Sequence, residues 1–153
     1  MPRGARTLPG ECVERLRGAE LILHAGDVVT ASFLEELRAL GPPVEAVYGN
    51  MDEPALRDAL PKETVVEAGE ARIGMIHIPG PLAGREQRLV ARFPGCPAIV
   101  YGHTHVPQVE RHGEVWILNP GSPTERRKSP FRSMIDLDVI GRDLAPSLVD
   151  LGT

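Results

Sequence analysis

Cysteine is scarce in this chain. Cys12 and Cys96 are its only two, far apart, and no C-x-x-C pair occurs. That excludes the thiolate zinc and dithiol redox sites built on such spacing and fits reduced thiols in a cytoplasmic protein. Long apolar runs are missing too. No stretch approaches the roughly 18 residues a membrane-spanning helix requires, and no signal-peptide pattern opens the chain. An excess of positive charge is also missing. The net charge is −4 and the pI about 5.7, with Lys and Arg dispersed apart from "ERRK" at 125–128. Neither a nucleic acid nor a membrane surface is an expected partner. Internal repeats and low-complexity tracts are absent. Fifteen prolines and sixteen glycines punctuate turns rather than a linker, so the 153 residues read as one domain, 1–153.

What is present is an alternation of strand-length apolar runs and helical patterns. Helices are expected over 9–20, with Val13 and Leu16 on one face and Gly18 as a stop, and over 31–40, where Phe33, Leu34, Leu37 and Leu40 recur at helical spacing. Shorter helices are expected over 55–60 and 85–93. Strands are expected over 21–24, 44–48 and 98–101, and as two runs around Gly69-Glu70 within 64–77. A hairpin over 108–119 is expected to turn at His112-Gly113, with further strands over 131–140 and 144–151. The first two-thirds alternates strand and helix, the signature of a parallel sheet, and the last third is hairpins. The fold class is therefore α/β, with two sheets face to face and helices outside, an αββα sandwich.

Ligands of open α/β sheets bind beyond the carboxyl ends of the strands. There the sequence places Asp27, then Asn50, then His77, then His103 and His105, then the Asn119-Pro120-Gly121-Ser122 loop. Carboxylate, amide oxygen and imidazole without thiolate suit Mn²⁺, Fe²⁺, Co²⁺, Ni²⁺ or Zn²⁺. A carboxylate can bridge two such ions about 3.5–4 Å apart, which clamp a phosphate. Taken singly, each motif has a plainer reading. Gly-Asp after a strand is commonly a turn, and H-x-H commonly structural. The specificity lies in the ordered set. His24 reads as a packed histidine or one that fixes a ligand's tautomer, His112 as solvated, and Trp116 as core. "ERRK" reads as a solvated charge run, with Arg126 or Arg127 in reach of a phosphate. Gly121 and Ser122 offer backbone N–H groups near the site.

The motifs "GDVVT", "YGNMD", "IHIPG", "YGHTHVP" and "NPGSPTERR" resemble the calcineurin-like metallophosphoesterase superfamily, and within it the small bacterial and archaeal phosphodiesterases. The resemblance covers essentially the whole chain. It implies that Asp27 bridges two divalent ions, with Mn²⁺ foremost and Ni²⁺, Fe²⁺, Co²⁺ or Zn²⁺ as alternatives. Asn50, His77 and His103 would hold the second ion, and His105 the first. The implied reaction is hydrolysis of a small phosphoester by a hydroxide bridging the ions. This sequence departs from the family pattern in three places. Met51 stands where many relatives carry a proton-donating His, which leaves Asp52 as the catalytic candidate, orienting a neighbour by hydrogen bonding. Ile78-Pro79 follow His77 where relatives carry Gly-His or an acidic residue. The buried strand ending in D-x-H, which opens the family, is missing. The natural protein is accordingly expected to begin about ten residues upstream of Met1. The chain as it stands is expected to bind one ion well and the other poorly, with impaired activity. The alternative is a non-catalytic scaffold of the same fold, comparable to a retromer coat subunit. The C-terminal hairpins offer an edge for pairing of copies into a homo-oligomer.

Overall fold

The computed structural model describes residues 7–153. In chain order the elements are α1 (Gly10–Arg17), β1 (Ile22–His24), α2 (Ala31–Arg38), β2 (Val44–Ala46), α3 (Pro54–Ala59), β3 (Glu63–Ala68), β4 (Ala71–Ile76), α4 (Arg85–Arg92), β5 (Ala98–Tyr101), β6 (Gln108–His112), β7 (Val115–Asn119), β8 (Ser133–Ile140) and β9 (Asp143–Asp150). Every expected element is present. The second hairpin turns one residue later than the sequence suggested, at Gly113-Glu114. The first turn position demands a positive φ, which Gly113 takes at +63° and His112 would take only with strain.

One layer is a five-stranded sheet in the order β3-β4-β5-β7-β6. Its centre, β4-β5-β7, is parallel, and β3 and β6 flank it antiparallel. Period-two alternation assigns the two faces. Ile73, Met75, Ala98, Val100 and Leu118 enter the core between the layers, whereas Ile76, Ile99, Tyr101 and Ile117 pack on Leu89 and Phe93 of the α4 segment. Burial on both faces is why "AIVY" reads as continuous apolar sequence rather than alternation.

The second layer comes as two pairs, parallel β1-β2 and antiparallel β8-β9. Outside it, α2 and α3 bury Phe33, Leu34, Leu37 and Leu56, and α1 packs Cys12 and Leu16 on Met134 and Leu151. The inward face of α1 thus includes Cys12, its most buried residue, beside Leu16, and Val13 is half-buried like Leu16. Both cysteines are buried and unbridged.

Among the described residues, no strand pairs with the second edge of β1 or of β8. Between these strands runs a trough of about 1740 Å³, lined along one wall by Leu21–Asp27 and along the other by Ser133–Ile140, with Ile73, Val100 and Leu118 beneath. Asp27, His77, His103 and His105 also line it. The expected D-x-H strand falls outside the described residues. Among the described residues, no helix is long and apolar enough to cross a membrane.

Candidate metal centre

Each predicted site residue lies just past the carboxyl end of a strand: Asp27 after β1, Asn50 after β2, His77 after β4, and His103 and His105 after β5. Helix starts fix the first two loops from their far side. Thr30 Oγ1 accepts from Phe33 N–H at 3.2 Å and caps α2, and Pro54 occupies the first turn of α3. Close approach explains the glycines that precede Asp27 and Asn50. A Cβ on Gly49 would stand 2.2 Å from Asp27 Oδ1, and one on Gly26 would stand 2.4 Å from His77 Nδ1. Asp27, His103 and His105 themselves hold left-handed backbone, φ 55°, 68° and 59°. Few residues with a side chain adopt that region, and where they do the conformation commonly serves a site.

The side chains converge. His77 Nδ1 lies 2.7 Å from the Ala25 carbonyl oxygen. A carbonyl can only accept, so Nδ1 donates to it and the ring turns Nε2 toward the site. Nε2 lies 2.9 Å from Asn50 Oδ1 and 3.2 Å from Asp27 Oδ2. Asn50 Oδ1 in turn lies 3.1 Å from His103 Nδ1, and the His77 and His103 rings meet edge to face, 5.2 Å between centroids. Positive charge among these atoms, as a bound cation or as protons on the imidazoles, satisfies the oxygen acceptors. The spacings also match the edge of a coordination polyhedron, about 3 Å for donors about 2.1 Å from an ion. Among the described residues, no three His, Cys, Asp or Glu side chains alone are arranged to hold an ion. The Asn50 amide oxygen is what links His77 to His103. The donor set fits a divalent cation.

Charge at the site is tuned accordingly. Burial works against ionisation of Asp27, but its contact with His77 and the hydrogen bond from Met51 N–H (2.8 Å) outweigh it, and the carboxyl is held at about 2. Burial, then the neighbouring His77, pushes His103 below the ordinary imidazole value and favours the neutral, lone-pair form.

The other predicted residues sit around this group. His105 stands beside it, with Nδ1 3.7 Å from Glu125 Oε2. Asp52 is buried, and both its oxygens accept from backbone, Val29 N–H at 2.5 Å and Gly49 N–H at 2.7 Å. It clamps the Asp27 and Asn50 loops together and holds Val29 at φ 79°. His24 is buried and neutral, its Nδ1 accepting from Gly26 N–H at 3.2 Å, so it shapes the turn into Asp27. Arg127 Nη1 reaches the His103 carbonyl at 3.5 Å, whereas Arg126 turns back to Pro130 O. The Gly121 amide is engaged by Asn119 Oδ1, and Ser122 Oγ accepts from Thr124 and Glu125 N–H, so the Gly121 donor is committed within the loop. Two contributors have roles that the sequence does not announce. Glu125 opens the run at 125–128, which reads as a solvated charge run. Asn119, fully buried, donates to Gly102 O and Thr104 Oγ1 and so fixes the loop bearing His103 and His105. Its signal was its place at a strand end.

The profile of the calcineurin-like phosphoesterase superfamily domain matches residues 4–141. The chain belongs to that superfamily. It is 34% identical over 154 residues to a probable metallophosphoesterase of Methanothermobacter thermautotrophicus, spanning 99% of this chain and 88% of that one. Among solved structures, a Thermotoga maritima protein superposes with TM-score 0.72 at 28% identity, over 94% of this chain and 88% of the other. Entamoeba histolytica Vps29 complexed with Zn²⁺ shares the fold, with TM-score 0.77 at 22% identity over 99% and 94% of the two chains. The phosphoesterase motif residues thus stand on a fold of the Vps29 type.

Proposed function

We propose that residues 1–153 form one calcineurin-like domain that hydrolyses small phosphodiesters with divalent metal ions, Mn²⁺ foremost. The observation that carries this reading is the convergence of His77 Nε2 with Asp27 Oδ2 at 3.2 Å and Asn50 Oδ1 at 2.9 Å, a set of imidazole, carboxylate and amide oxygen that suits a divalent cation. Asp27, Asn50, His77 and His103 would hold one ion, and Asp27 and His105 would begin a second site at the trough. Bound there, divalent ions supply Lewis-acid charge to the phosphoryl oxygens and make a nucleophile of water at neutral pH. The chain's own residues do the positioning. Ala25 O fixes the His77 tautomer, Asp52 locks the two acidic loops, and Arg127 stands beside His103 where a phosphate oxygen would lie.

Calorimetric titration with Mn²⁺ tests the reading. One tight site and one weak site are expected, with hydrolysis of bis(p-nitrophenyl) phosphate measurable but slow. Asp27→Asn keeps a residue tolerant of left-handed backbone and should lower Mn²⁺ affinity by more than the 10–100-fold typical of losing an outer-sphere partner. Unchanged Mn²⁺ binding in that variant would sink the proposal. The likeness of fold to Vps29 keeps a scaffold as the second reading. It predicts no hydrolysis at any Mn²⁺ concentration and leaves the acceptor cluster without a purpose.

A further inference from the structure

Several large apolar side chains are exposed to solvent on the loops that carry the site residues. Met51 is 45% exposed, Ile78 49% and Val106 44%, and each directly follows a site residue: Asn50, His77 and His105. Asn50 Oδ1 lies 2.9 Å from His77 Nε2 and 3.1 Å from His103 Nδ1, so the three loops meet at the site. Leu82, 76% exposed, belongs to the same loop as Ile78. The other exposed large apolar residues, Val65, Ile140 and Leu148, sit on strands β3, β8 and β9.

The loop carrying Ile78 and Leu82 is fixed rather than slack. Arg85 Nη2 donates to Gly80 O at 2.9 Å, and Arg88 donates to Ala83 O at 2.7 Å and Pro81 O at 2.5 Å. Two guanidinium groups from α4 thus pin the carbonyls of a proline-containing turn, and Leu82 cannot fold back into the core that Leu89 and Phe93 already fill. A rigid loop that holds leucine in water beside a cation site is suited to an apolar group anchored by its phosphate.

We propose that Met51, Ile78, Leu82 and Val106 form the binding surface for an aryl or alkyl ester group of the substrate, so that the enzyme selects phosphoesters of apolar alcohols over those of small polar ones. The proposal rests on the phosphoesterase reading above. It assigns the ester group to these four side chains and the phosphate to the donor cluster.

The test uses the full chain loaded with Mn²⁺ and two phosphonates, phenylphosphonate and methylphosphonate, with affinities read by calorimetry. Phenylphosphonate should bind at least about tenfold more tightly. Leu82→Ser, and Leu82→Ser combined with Ile78→Ser, should bring that ratio towards one while methylphosphonate and Mn²⁺ affinities stay as they were. The substituted side chains are exposed, so folding should be unaffected, as thermal melts would verify. If both phosphonates bind equally to the unaltered chain, the proposal fails while the phosphoesterase reading stands. If Mn²⁺ binds but neither phosphonate does, the phosphoesterase reading fails and takes the proposal with it. If the phosphonate ratio is one and Leu82→Ser instead converts an oligomer to monomer by sedimentation, these side chains form a contact between copies, which overturns the proposal.

Discussion

At the scale of single residues, His24 gives a sharp pH signature. Burial, more than its neighbours, drops its imidazole to about 3, and Nδ1 already accepts a hydrogen bond from Gly26. In the unfolded chain the ring titrates near 6.5. Between these values the unfolded state binds a proton that the folded state refuses. Stability is therefore full above about 6.5 and is lost as pH falls from there toward 3. Asp27 acts in the same direction but lower, since the unfolded carboxyl takes up a proton below 3.8 while the folded one resists to about 2. His24→Asn keeps an acceptor for Gly26 and removes the titration. Urea melts from pH 7 to pH 4 should show a shallower acid limb, by up to about 1.4 kcal/mol per pH unit. An unchanged slope would mean that His24 is solvated in the folded state. The donor residues were legible in the sequence because each follows a strand and most follow a glycine. Their tautomers were not, because the partner of His77 Nδ1 is the carbonyl of Ala25, 52 residues away, and a backbone carbonyl leaves no mark in composition.

At the scale of elements, the site depends on how loops are tied to one another. Asp52 accepts from Val29 N–H and Gly49 N–H, joining the loop after β1 to the loop after β2. Asp52→Ala would leave two amides short of partners, each worth about 1–3 kcal/mol when buried. Chemical denaturation should show a loss of about 2–4 kcal/mol together with weaker Mn²⁺ binding. Asp52→Asn, retaining one acceptor, should lose less. A variant with full stability and intact metal affinity would show that the clamp is dispensable. Helices and hairpins were readable from apolar spacing and turn glycines, down to the Gly69-Glu70 turn. What sequence did not reveal was relative rotation. The most buried position of α1 is set by Met134 and Leu151, which arrive more than 100 residues later, so Cys12, which local periodicity did not single out, takes it.

At the scale of the whole molecule, the two layers are unequal. β4, β5 and β7 are paired on both sides, whereas β1 and β8 are each paired on one side among the described residues. Amide hydrogen exchange should follow this inequality, slowest in β4, β5 and β7 and faster along β1 and β8. Uniform protection across both layers would show that the trough is closed in solution. The α/β sandwich was legible from the alternation of elements and the family motifs. The trough was not, because it is a relation between Ile22–His24 and Ser133–Ile140, segments that share no sequence signal.

Asp27, His103 and His105 stand on backbone that most amino acids resist. That narrows the alphabet open to drift at these three places. Glycine, asparagine and aspartate can be exchanged there with little conformational penalty, while valine, isoleucine and threonine take such backbone only when the surroundings impose it, as Asp52 does on Val29. A lineage that abandoned catalysis would therefore be expected to record the loss first as asparagine or glycine at these positions, with the loops around them still intact.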